Sequence, residues 1–132
     1  INRTKKIIRS TYDALLEDLE LQPAAMLLSR VISHPQTDLV TCDAGSKSIA
    51  SEAGHPVAFV LGRPELVAKP PSEEHLPLQC TSGDKPKRGE TLLLIPKHVC
   101  PTVNLAEQAL LVKPDGTAEV IEISARAHDL LP

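Results

Sequence analysis

Two residues at the end of an apolar run carry the sharpest chemical signal in this chain. His98 and Cys100 stand two apart within Ile95-Pro96-Lys97-His98-Val99-Cys100-Pro101-Thr102-Val103-Asn104. Where backbone is extended, residues i and i+2 project from the same face. On that reading an imidazole nitrogen and a thiolate converge on one point. Such a donor pair suits a transition metal, zinc above all. Pro96 and Pro101 bracket the pair and stiffen it. The competing reading is a half-buried His beside a buried free Cys, an ordinary core residue. His-x-Cys arises often by chance, and no second Cys/His pair completes a finger-type site, so spacing alone does not choose.

Other polar clusters are weaker. Pro71-Ser72-Glu73-Glu74-His75 sets two carboxylates beside an imidazole, a set that serves acid–base chemistry or metal binding. A solvated loop after two prolines explains it better. Asp43-Ala44-Gly45-Ser46-Lys47 could bring backbone close to an anion through its glycine. It lacks the Gly-x-x-x-x-Gly-Lys spacing of a P-loop, and a plain β-turn accounts for it. His34, His55 and His128 are isolated and take no role. No Gly-x-Ser-x-Gly elbow is present for a hydrolase triad.

The elements that must position these residues are short, because 12 prolines and 6 glycines break long helices. Leu15, Leu16 and Leu19 recur at helical spacing and predict a helix from Tyr12 to Leu21, closed by Pro23. An extended run from Thr11 to Leu16 is the alternative. Met26 to Ile32, ended by His34-Pro35, and Leu39 to Cys42 predict a hairpin about a turn at Pro35 to Asp38. Val57 to Leu61, Glu65 to Lys69, Glu74 to Gln79 and Thr91 to Ile95 follow as strands. Ser46 to Ala53 and Thr102 to Ala106 are expected to form short helical turns. Asp115-Gly116 between Leu110 to Lys113 and Ala118 to Ile123 is a strong hairpin signal. Many short strands at this spacing predict an all-β barrel or sandwich, and the barrel-like form is the expectation adopted. One boundary falls near Gln22-Pro23. It separates an N-terminal connecting segment, residues 1–22, from a β-domain, residues 23–132.

Composition excludes several classes of partner. With 14 Lys+Arg against 17 Asp+Glu, the formal net charge is −3, and no nucleic acid partner is expected. Tyr12 and Phe59 are the aromatic residues, too few for a base-stacking platform. Apolar residues make up 42% of the chain, which argues against disorder. No apolar run approaches the ~18 residues of a membrane span, so no membrane partner is expected. Ile1 to Lys6 is basic but lacks a following apolar stretch, so no signal peptide is expected. An opening Ile1 in place of Met suggests a fragment or a processed chain. Cys42, Cys80 and Cys100 are scattered and odd in number. Free thiols in a reducing, cytoplasmic compartment are expected rather than a disulfide framework.

Four segments occur in a telling order: Val31-Ile32-Ser33-His34-Pro35, Asp43 to Lys47, Ser72 to His75, and Ile95 to Leu105. Together, over roughly residues 10–132, they resemble the C-terminal domain of the eukaryotic-type D-serine dehydratases and D-threonine aldolases. These are metal-activated pyridoxal phosphate enzymes of the alanine-racemase fold type. His98 to Leu105 is the most specific stretch. Leu76 departs from the pattern, where a glycine is expected after His75. The resemblance implies a barrel-like β-domain with a few short helices. It also implies a separate cofactor barrel of alternating strands and helices, which 132 residues could not hold. The Schiff-base lysine therefore falls on no Lys of this sequence, no catalytic residue is assigned to it, and the chain alone is expected to be inactive.

For the site, the resemblance makes His98 and Cys100 the ligands of zinc, with open coordination positions for the substrate's β-hydroxyl. It further implies pyridoxal phosphate bound mainly outside this chain, a small-molecule D-amino acid substrate and a homodimer in the full-length enzyme. D-Serine dehydration and D-threonine aldol cleavage both remain open. The soft thiolate of Cys100 favours zinc and tilts the reading toward the dehydratase branch. The alternative is a non-catalytic β-domain serving dimerisation or structural support. A small structural metal protein is a third reading.

Overall fold

Short runs with alternating inward and outward side chains give strands with one apolar face, and here those faces meet inside a ring. The structure is a computed structural model and describes residues 22–126. The helix expected from Tyr12 to Leu21 lies outside the described residues, as does His128. In chain order the elements are β1 (Leu27–Gln36), β2 (Leu39–Cys42), β3 (Ala58–Val60), β4 (Leu66–Ala68), β5 (Leu76–Cys80), β6 (Thr91–Pro96), α1 (Val99–Asn104), β7 (Gln108–Val112) and β8 (Ala118–Glu122). The first six strands close a barrel in the order β1-β2-β5-β4-β3-β6, antiparallel throughout. The fold is the all-β, barrel-like one expected from the sequence.

β6 shows how the pattern sets the core. Leu92 and Leu94 point inward and are buried, while Leu93 between them faces out. Leu94 lies between its register partners Leu27 on β1 and Val60 on β3. Val31, Val40, Ile49, Leu76 and Leu78 complete the apolar interior. Each such side chain contributes about 1.5–3 kcal/mol by leaving water.

Several boundaries differ from the sequence expectation. β1 is not ended by His34-Pro35 but runs on to Gln36. Pro35 falls where the register slips between Ser33 and Gln36, a place where a missing ladder N–H is tolerated. The hairpin turn contracts to residues 37–38. Residues 46–53 form no helix. Ser48 and Ile49 both donate to the Gly45 carbonyl, and a second turn closes from Gly54 N–H to Ser51 O. The helical turn expected from Thr102 begins three residues earlier, as α1. Pro101 sits in the first turn of α1, where a missing N–H costs nothing. No helix among the described residues is long and apolar enough to cross a membrane.

The Asp115-Gly116 hairpin forms as expected. Gly116 adopts φ 84°, and Asp115 Oδ1 accepts from the Thr117 N–H (2.9 Å) and hydroxyl (2.6 Å). β7 and β8 pair with each other and form a separate two-stranded sheet.

Candidate metal centre

Two loops at one rim of the barrel are stitched together by main chain. Asp43 leaves β2 and accepts from the Ser29 hydroxyl (2.8 Å) and the Arg30 N–H (2.7 Å). Burial pushes its carboxyl up, but those hydrogen bonds outweigh burial and hold it below the usual Asp value. Ser46 N–H donates to Ser72 O (2.9 Å) and Lys47 N–H to Glu73 O (3.1 Å). A Cβ on Gly45 would stand 2.2 Å from the Glu73 carbonyl oxygen, so only glycine permits this approach. Lys47 Nζ reaches Glu74 (2.8 Å) and Glu73 (3.2 Å), and these bonds, Glu74's first, raise its pKa.

These contacts answer two sequence readings. The space that Gly45 opens is filled by backbone of residues 73–74, not left for an anion, and Lys47 is already partnered. The plain-turn reading holds. Glu73 and Glu74 engage Lys47, and among the described residues no group of three or more His, Cys, Asp or Glu forms a metal-holding cluster.

The extended backbone stops too soon for the same-face argument about His98 and Cys100. β6 ends at Pro96. His98 is still extended (φ −127°, ψ 113°) but serves as the N-cap of α1, and Cys100 lies in the first turn of that helix. The pair flanks a strand-to-helix corner instead of sharing a strand face. The buried-thiol alternative also fails for this residue. Cys100 is exposed and His98 is partly open, its side chain 32% accessible. Cys42 is the buried thiol, and burial pushes its pKa up to about 11.

The corner is braced from the 45–54 segment. Thr102 is buried, and its hydroxyl donates to His98 O (2.8 Å) while its oxygen accepts from the Ala50 N–H (3.2 Å). The His98 ring nitrogen Nδ1 lies 2.5 Å from Glu52 Oε1. Sequence reasoning missed Glu52, because 46 positions separate it from His98 and nothing local marks it. His34 bonds Pro86 O through Nε2 (2.8 Å), and neither His34 nor His55 joins His98 in a cluster.

The donor chemistry fits a zinc ion. Nδ1 is engaged by a carboxylate, which leaves Nε2 to face a metal. An imidazole nitrogen and an exposed thiol are both zinc donors, and so small a protein set leaves coordination positions open.

A closed antiparallel β-barrel with a His-x-Cys corner at its rim now has a family. Residues 24–112 match the family described as "Putative serine dehydratase domain", and the chain belongs to it. Among individual proteins, it is 36% identical over 109 residues to a D-threonine aldolase of Arthrobacter sp, a match covering 82% of this chain and 28% of the aldolase. It is 32% identical over 107 residues to a 3-hydroxy-D-aspartate aldolase of Paracoccus denitrificans, covering 81% and 27%. The crystal structure of D-threonine aldolase from Filomicrobium marinum matches with TM-score 0.69 at 29% identity, over 76% of this chain and 28% of that one. A D-threo-3-hydroxyaspartate dehydratase from Delftia sp. HT23 shares the fold at TM-score 0.62 and 22% identity, over 79% and 32%. The chain thus spans little more than a quarter of the curated relatives it matches, 28% and 27% of their lengths.

Proposed function

We propose that residues 23–132 are the metal-bearing β-domain of a pyridoxal phosphate-dependent lyase acting on small D-amino acids that carry a β-hydroxyl. Residues 1–22 connect it to the remainder of the enzyme. The observation that carries this reading is the His98–Cys100 corner, with its partly open imidazole and exposed thiol, in a chain 36% identical to a D-threonine aldolase. His98 and Cys100 hold zinc, and Thr102 keeps the corner in shape by tying His98 O to the 45–54 segment. Zinc held there supplies Lewis-acid polarisation of the substrate's β-hydroxyl.

Pyridoxal phosphate is bound by the rest of the enzyme, a cytoplasmic homodimer. Aldol cleavage of D-threonine and dehydration of D-serine are both open to this domain. The curated relatives are aldolases, whereas the soft Cys100 donor favours zinc and the dehydratase branch.

The test is metal content and turnover of D-threonine and D-serine in the complete enzyme. His98→Ala and Cys100→Ala should each strip the metal and cut turnover at least a hundredfold. The melting temperature should stay within a few degrees, since neither side chain fills the core. Both variants retaining full metal and the wild-type rate would overturn the reading. The same enzyme should lose metal as pH falls, because protons compete for imidazole and thiolate.

A further inference from the structure

We infer that Glu52 is the positioning residue for His98, fixing which ring nitrogen carries the proton and which way the ring faces. The inference rests on the proposal that His98 is a metal donor, and it deepens that proposal. Glu52 Oε1 lies 2.5 Å from His98 Nδ1, within hydrogen-bond reach. A carboxylate only accepts, so the contact requires Nδ1 to carry the proton. Nε2 is then left with its lone pair, which a metal needs. Imidazole side chains free in water favour the opposite tautomer, with the proton on Nε2. Glu52 thus selects the form that free solution does not.

The contact is anchored at both ends. On one side, His98 O accepts from Thr102 Oγ1. On the other, the same Thr102 oxygen accepts from the N–H of Ala50, two residues before Glu52. Gly54, at φ +78°, closes the turn that holds Glu52, through its N–H to Ser51 O at 3.2 Å. One buried hydroxyl therefore holds the acid and the ring in a common frame. A stabilising ion pair is the competing explanation for the contact. The two side chains are 51% and 32% accessible, and pairs this exposed contribute little to stability. The contact makes more sense as orientation than as support for the fold.

The test uses the 132-residue chain at pH 8.5, where a free imidazole is neutral. Long-range proton–nitrogen spectra of the His98 ring report the tautomer. Cobalt(II) titration, followed by the thiolate-to-cobalt absorption band, reports affinity. Wild type should show the proton on Nδ1. Glu52→Ala should move it to Nε2 and weaken cobalt about 10–100-fold, with the thermal midpoint nearly unchanged. His98→Ala should weaken cobalt at least as much. If His98→Ala leaves cobalt affinity intact, the metal reading falls and this inference with it. If His98→Ala loses cobalt while Glu52→Ala keeps both affinity and tautomer, the metal reading stands and the role of Glu52 is overturned.

Discussion

The rim around His98 and the β7–β8 hairpin that follows it hold surface segments in place by opposite means. At the rim, loop backbone bonds to loop backbone, and Ala44, Ile49 and Leu76 send their side chains into the core. Among the described residues, the hairpin is held by its own ladder and by side-chain pairs such as Lys113–Glu119 (2.7 Å) and Gln108–Glu122 (2.6 Å). Its apolar residues face water on both sides. Leu110, Val112 and Val120 are 66%, 67% and 60% accessible on one face, and Leu111 and Ile121 are 45% and 39% accessible on the other. A lone two-stranded hairpin is marginal in water. The lesson is that burial by the barrel supports the rim, while among the described residues the hairpin rests on local bonds.

Paired substitutions test that contrast, the largest difference first. Leu94→Ala empties a fully buried position between β1 and β3 and should cost about 2–5 kcal/mol in urea unfolding. Leu110→Ala in the hairpin should stay within about 0.5 kcal/mol. Equal losses from the two would mean that the hairpin is packed as tightly as the barrel. Next come two glycines. Gly45→Ala drives a methyl into the Glu73 backbone and should cost about 1–3 kcal/mol or more. Gly116→Ala meets nothing within 4 Å and bears only its φ of +84°. That costs about 1–2 kcal/mol locally, and little of it should reach the barrel's unfolding midpoint.

The smallest difference is in pH dependence. Asp43 at the rim and Asp115 in the hairpin both have carboxyl pKa values below the usual range. Burial opposes the Asp43 shift, and the Arg30 and Ser29 bonds prevail. Thr117 bonds lower Asp115. A depressed folded pKa gives stability that is present above the unfolded value near ~4 and lost as pH falls through the folded value. Asp43→Asn should therefore lower the urea midpoint at pH 6 and converge with wild type as pH falls below the folded value. Because the group is exposed, the gap should be under ~1 kcal/mol. Asp115→Asn should leave the midpoint unmoved at every pH. A larger effect from Asp115 would reverse the comparison.

Legibility in the sequence follows the same division. Strand alternation and the Asp115-Gly116 turn are local signals, so among the described residues seven of the eight strands fall close to where the periodicity puts them. β1 is the exception, since Pro35 hides its last residues. The corner departs from the strand expectation for a local reason too. Val99, Thr102 and Val103 are β-branched and favour strands, yet they form α1. A proline in the first turn of a helix leaves no trace that separates it from a proline in a loop. Gly45 signals close approach, but the approaching group is backbone 28 positions away, which local pattern cannot name. Glu52 was invisible because its contact with His98 exists only once the barrel brings the 45–54 segment to α1.

Closure of the barrel also decides how copies of this molecule foul one another. No strand of the ring has a bare side. Among the described residues, unpaired strand edges run along the outer flanks of β7 and β8, beside Leu110, Val112 and Val120. Such edges template further strands. Turbidity in a concentrated or warmed sample should therefore begin at the hairpin while the ring is still intact. A single lysine at Val120 should delay the clouding and leave the ring's unfolding where it was.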